Sequence, residues 1–197
     1  MSTDFAAGGA LGAVLLEGPA LLERAVGYTR ISLGLLPGAA PNAPTPCSDW
    51  DLTRLLRHMD DSLAAFTEAA ETGYVAPAGP PEPEPALLAA SLRDRACRLL
   101  GAWAHQSGRA RVSVFGHDVS GSLVAATGAL EIAVHGWDVA RACGVDRPLP
   151  EELAATLLAI APLVVDPADR PRRFAPPYAV PPTATASERL LAFLGRR

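Results

Sequence analysis

Lysine is absent from this chain of 197 residues, so all 17 of its basic side chains are arginines. With abundant Ala, Gly and Pro, that bias suggests a GC-rich genome. Cysteine is scarce: Cys47, Cys97 and Cys143 are odd in number, far apart and outside any CxxC spacing. This argues against a disulfide framework and fits ordinary thiols in a reducing cytosol. Charge is also low, at 19% of residues with a net −4, which leaves no electrostatic case for nucleic acid or an anionic membrane. No apolar run reaches the roughly 20 residues that a membrane helix needs. The apolar start, MSTDFAAGGALGAVLLEG, lacks a basic segment ahead of its leucines, so a signal peptide is not expected. Internal repeats are missing too.

What is present suits one globular domain. Apolar residues make up 49% of the chain, enough at this length for a proper core. Residues 1–18 are expected to be a flexible extension and residues 19–197 a single cytoplasmic domain, a monomer or a homodimer. Helical spacing recurs along the chain. The first helix is expected from Pro19 to Leu35, with Leu22, Val26, Thr29 and Leu33 on one stripe. A second follows Asp51, a suitable N-cap, and ends at Gly73. Leu52, Leu55, Leu56, Met59, Leu63 and Phe66 form its apolar face. A third runs from about Ala86 to His105, and RVSVFGHD reads as a short strand or hairpin. The fourth covers Gly121 to Ala142, the fifth Pro150 to about Leu163, and SERLLAFLG closes the chain. Between the last two, VDPADRPRRFAPPYAVPPTATA is extended and Pro-rich. The fold class is therefore all-α, a four-helix bundle with long crossover connections and extra short helices.

The fourth helix poses the functional question. It is apolar over most of its circumference, and such a helix should be buried. Yet Glu131, His135 and Asp138 share one narrow stripe at about 100° per residue. A buried carboxylate needs a cation, a hydrogen-bonding partner or a wet cavity to offset its desolvation. An ExxxH spacing places two metal ligands one turn apart, although a simple i,i+4 hydrogen bond would use the same spacing. His58, at the flank of the second helix's apolar face, is the candidate third ligand. Two imidazoles and a carboxylate form the ligand set of catalytic zinc and equally suit non-haem iron. His105 needs only its helix C-terminus as a reason. His117 lies just ahead of the fourth helix and is a candidate for the cavity's open end. Asp138 could orient His135 or pair with Arg141 at the surface. Arg170, Arg172 and Arg173 could meet an anionic substrate, or form a solvated basic turn. Cys47 reads as packing or turn structure.

The stretches TPCSDWDLTRLLRHM, EIAVHGWDVARACG and RFAPPYAVPPTATASERLLAFLGRR also carry a family likeness. They resemble the actinobacterial metal-binding branch of the DinB-like superfamily. That branch is related to the N-terminal domain of mycothiol-dependent maleylpyruvate isomerases. The resemblance covers about Leu21 to Arg197. It implies a four-helix bundle holding a divalent metal through His58, Glu131 and His135, with Trp50 as a structural plug. Zinc is the first choice, and nickel, iron or manganese would also fit.

The implied activity is that of a metal-dependent enzyme on a small molecule, activating a low-molecular-weight thiol such as mycothiol for S-transfer or addition and elimination. A metal-dependent hydrolase, lyase, cyclase or isomerase without a thiol is the alternative, and a non-catalytic metal- or ligand-binding bundle is another. Maleylpyruvate isomerases of the family continue into a second domain. None is expected within these 197 residues, which bears on the isomerase reaction itself.

Overall fold

The computed structural model describes residues 18–47, 49–75, 88–105, 111–171 and 173–197. The expected flexible extension therefore lies, apart from Gly18, outside the described residues. Six α-helices stand among the described residues: α1 (Gly18–Leu33), α2 (Leu52–Thr72), α3 (Leu88–His105), α4 (Gly121–Ala142), α5 (Glu151–Val164) and α6 (Ala186–Phe193). The first helix is shorter than expected. A 3-10 turn over Leu36–Gly38 follows it, because Pro37 has no amide to continue the α-helical ladder.

Local chemistry sets the other ends. The Asp51 carboxylate accepts from the Arg54 amide at 2.8 Å, and Gly73 closes α2 in the left-handed region. The Ser120 hydroxyl caps α4. Thr185 and Glu188 form a reciprocal capping box at α6, which satisfies two amides that a helix start leaves open.

The apolar stripes meet as the sequence requires. Leu22, Val26 and Leu33 of α1 are buried with Leu55, Leu56, Met59 and Leu63 of α2 in one core, alongside Ala129, Ala133 and Trp137 of α4. Helix α1 packs on α4, α4 on α2, α2 on α3 and α3 back on α1. Consecutive helices α1 and α2 are therefore diagonal in the bundle, and long connections must cross it. Helices α5 and α6 pack together, and α5 covers part of α4.

One addition departs from a purely helical chain. Strands β1 (Tyr74–Val75), β2 (Arg111–Val114) and β3 (His117–Ser120) form a small sheet in that order. β1 runs parallel to β2, and β2 and β3 form an antiparallel hairpin that pairs Val114 with His117 and Arg111 with Ser120. The hairpin feeds directly into α4.

Gly136 explains how α1 and α4 come so close. A Cβ there would lie 2.3 Å from the Thr29 hydroxyl oxygen. That hydroxyl donates to the Ile132 carbonyl at 2.8 Å, so it cannot simply swing aside. Gly136→Ala is expected to destabilise the protein by about 1–3 kcal/mol through overpacking. Urea unfolding beside the wild type measures it, and an unchanged midpoint would contradict this packing.

Candidate functional site

The buried face of α2 and the polar stripe of α4 converge on one point. His58 Nε2 lies 2.5 Å from Glu131 Oε1, and His135 Nε2 lies 3.1 Å from the same oxygen. The Ser62 hydroxyl donates to that oxygen at 3.4 Å. The two imidazole centroids are 4.9 Å apart and edge to face. Trp50, on the loop entering α2, stands 4.8 Å from the His58 ring and 6.1 Å from the His135 ring. It walls the pair in as well as plugging the loop.

The second nitrogen of His135 is accounted for. Its Nδ1–H donates to Asp138 Oδ2 at 2.9 Å. That bond fixes the tautomer whose lone pair sits on Nε2, the nitrogen facing Glu131. Asp138 is fully buried and accepts further bonds from Arg196 Nε, at 3.1 and 3.3 Å, and from Cys47 Sγ at 3.4 Å. It does not pair with Arg141, which reaches Asp146 instead.

The electrostatics favour positive charge at this point. Burial alone would raise the Glu131 carboxyl, but His135 and then His58 hold it well below the usual carboxylate range. Burial would likewise favour a neutral His135, yet Glu131, Asp138 and Cys47 push its pKa well above the ordinary histidine value. Asp138 is also held low. Burial opposes this, and its bond to His135 and the charge of Arg196 outweigh it. A site that draws protons onto a buried imidazole in this way is a site that a cation can occupy.

The donor set passes the same test. His58, Glu131 and His135 offer two nitrogens and one oxygen within 4.8 Å of one another, a combination suited to zinc or another divalent transition metal. A cavity of about 330 Å³ opens against them, lined also by Trp50, Leu130, Val134 and Arg196. Ligand exchange would therefore have room. Cys47, His135 and Asp138 form a second group with metal-ligand spacing, but its carboxylate is already engaged by Arg196.

Other expected residues fall elsewhere. His117 is exposed on the hairpin and does not line the cavity, which corrects its placement near the open end. Strand β3 holds it before the first turn of α4, while Glu131 sits ten residues further on, about 15 Å along the helix axis. The His105 ring bonds the Gly101 carbonyl at 2.7 Å, at the end of its own helix. Arg170 is a backbone clip that donates to the carbonyls of Ala175 and Phe193. Arg173 lines the cavity with most of its side chain exposed. Arg172 lies outside the described residues.

Arg196 is the residue that sequence reasoning missed. A penultimate arginine after a short helix carries no periodic or motif signal. For Cys47, the turn was legible, since the Trp50 amide donates to its carbonyl; the thiol's contact with Asp138, 91 positions away, was not.

A four-helix bundle that gathers two imidazoles and a carboxylate beside an open cavity belongs to the DinB-like class of helical domains. The chain is a member of the family described as the mycothiol maleylpyruvate isomerase N-terminal domain, whose model matches residues 22–140. This is a mycothiol-related, metal-binding family. Two Mycobacterium tuberculosis proteins are similar over 157 residues at 29% identity: uncharacterized protein MT0763 of strain CDC 1551 and uncharacterized protein Rv0738 of strain H37Rv. The match spans 78% of this chain and 83% of each relative. No solved structure matches the chain significantly.

Proposed function

We propose that this protein is a divalent-metal-dependent enzyme that activates a low-molecular-weight thiol of the mycothiol type for S-transfer, or for addition and elimination, on a small electrophile. The observation that carries the reading is the convergence of His58 Nε2 and His135 Nε2 on Glu131 Oε1 at the wall of an open cavity. His58, Glu131 and His135 would hold the ion. A divalent ion held there supplies Lewis acidity, which lowers the pKa of a thiol and polarises a carbonyl.

The chain's own residues do the rest. Asp138 keeps the His135 proton on Nδ1, leaving Nε2 free as a donor atom. Glu131 contributes one negative charge, so the site with a divalent ion keeps a net positive charge and favours a thiolate over a thiol. Trp50, Leu130 and Val134 give the cavity an apolar side that limits water around the reacting group.

The reading takes residues 19–197 as one domain, since a single core runs from Leu21 in α1 to Leu194 beyond α6. It also takes the protein as cytoplasmic. None of the described helices is long and apolar enough to cross a membrane, and all three cysteines are free.

The test is consumption of mycothiol against a small electrophile such as 1-chloro-2,4-dinitrobenzene. It compares metal-replete protein, chelated protein and His135→Ala. The expected result is acceleration that needs both the metal and His135. A rate indifferent to metal, or a loaded protein indifferent to thiol, would overturn the proposal.

A further inference from the structure

Glu131 and His135 line two cavities. Besides the one of about 330 Å³, they line a second of about 10 Å³ among α1, α2, α3 and α4. That is room for one water-sized group. Its other walls are largely apolar, with Leu33, Met59, Leu63 and Leu92 among them. Ser62 lines this inner cavity and not the larger one. It stands one turn beyond His58 on α2, a spacing that puts both side chains on one side of the helix.

The direction of its hydroxyl departs from the habit of this protein. A serine or threonine inside a helix often bonds the carbonyl four residues back. Thr67, Thr72, Thr127 and Thr156 do so, at 2.7, 2.8, 2.8 and 2.9 Å. Ser62 instead donates across the bundle to Glu131 Oε1 at 3.4 Å, its one side-chain hydrogen bond among the described residues. Thr29, the other hydroxyl on the inner cavity, is spent on the Ile132 carbonyl. The His58 and His135 nitrogens lie closer to the same Glu131 oxygen, at 2.5 and 3.1 Å. Crowding by these groups leaves the hydroxyl at the long end of hydrogen-bond distances. An imidazole that gives its Nε2 to a metal has no proton there to donate. With both rings so engaged, the Ser62 O–H is the donor left to Glu131 among the described residues.

We infer that Ser62 is a positioning residue of the metal centre, whose hydroxyl holds the Glu131 carboxylate in the orientation from which it ligates, without touching the substrate. The inference rests on the ligand set of the proposed function and not on the thiol. Ligating carboxylates are themselves hydrogen-bonded, and losing such a partner typically costs about 10–100-fold in metal affinity.

The test is zinc affinity by competition against a chelator, for wild type and for substitutions that separate donor from shape. Ser62→Ala deletes the hydroxyl. Ser62→Thr and Ser62→Val share nearly one shape, and only the first keeps the hydroxyl. The inner cavity has room for an added methyl group. Thr156→Ala deletes a hydroxyl that serves only its own helix. Ser62→Ala and Ser62→Val are expected to bind zinc about tenfold or more weakly. Ser62→Thr and Thr156→Ala should stay near wild type. The visible spectrum of the cobalt-loaded protein should move in the same two variants and in neither of the others. Circular dichroism shows that each is folded, and alanine, the better helix former, should not harm α2. Should Ser62→Ala fail to fold, the Thr and Val pair decides.

Wild-type affinity in folded Ser62→Ala would overturn the inference, as would equal losses in Ser62→Thr and Ser62→Val. A wild type with no affinity for any divalent metal would refute the proposed function and this inference together. The expected losses in a protein indifferent to thiol would uphold the role of Ser62 and refute the proposed function alone.

Discussion

His58→Ala is expected to lose metal as completely as His135→Ala, although the two residues sit on different helices. His58 and Glu131 are 73 positions apart in sequence, and only the packing of α2 against α4 brings them together. Removing one of three protein ligands should cost more than the 10–100-fold in affinity typical of outer partners that only orient a ligand. Glu131→Gln belongs in the same series. It keeps the shape of the side chain and removes the negative charge that offsets a divalent ion.

Stability should move little in His58→Ala. The side chain is about a third exposed, and its main polar partner, Glu131, would retain His135. Competition against a chelator gives the affinities, and circular dichroism shows whether the variants remain folded. Full metal in folded His58→Ala would sink the three-ligand set and leave Glu131 and His135 as an ordinary helical pair.

The second large effect is expected at Asp138, which does not line the cavity and reaches the centre only through His135. Asp138→Ala removes the counter-charge of a buried guanidinium and the acceptor of His135 Nδ1 in one step. Stranding one partner of a buried ion pair costs about 3–5 kcal/mol, and freeing the imidazole tautomer should weaken metal binding about 10–100-fold. Arg196→Met on the Asp138→Ala background should recover part of the lost stability, since the stranded charge goes with it.

The sign with pH follows from the depressed carboxyl. In the unfolded chain Asp138 takes up its proton near pH 4; in the folded protein it does so only at lower pH. Its contribution is therefore present above about pH 4 and is lost as pH falls through the depressed value. Asp138→Ala should accordingly show a flatter acid limb in urea melts than the wild type. An unfolding free energy within 1 kcal/mol of wild type across that range would contradict the buried pair.

The helices were legible in the sequence because their signals are local. Asp51 and Gly73 act within a few residues, and the stripes on α1 and α2 declare their buried faces through spacing alone. Glu131 and His135 stood out for a related reason, as polar groups on a helix with no exposed face to spare. His58 was legible as a flanking residue, with the family likeness supplying the rest.

What could not be read was pairing across long separations with no repeat to signal it. Asp138 and Arg196 are 58 positions apart, and the turn that joins them depends on one glycine pressed against Ala175. The role of Arg170 was hidden in the same way. Its guanidinium serves backbone carbonyls of an extended segment, and acceptors of that kind leave no mark on side-chain patterns. His117 was misplaced because it begins the second strand of a hairpin, exposed ahead of the helix and not facing the cavity.

The central claim is that two imidazoles and one carboxylate hold one metal ion, and X-ray absorption of the metal-loaded protein tests it most directly. The account predicts about one equivalent of metal, a first shell of nitrogen and oxygen only, and the outer-shell scattering of two imidazole rings. A sulfur scatterer near 2.3 Å, the distance of a zinc–thiolate bond, would move the ion to the group of Cys47, His135 and Asp138 and contradict it.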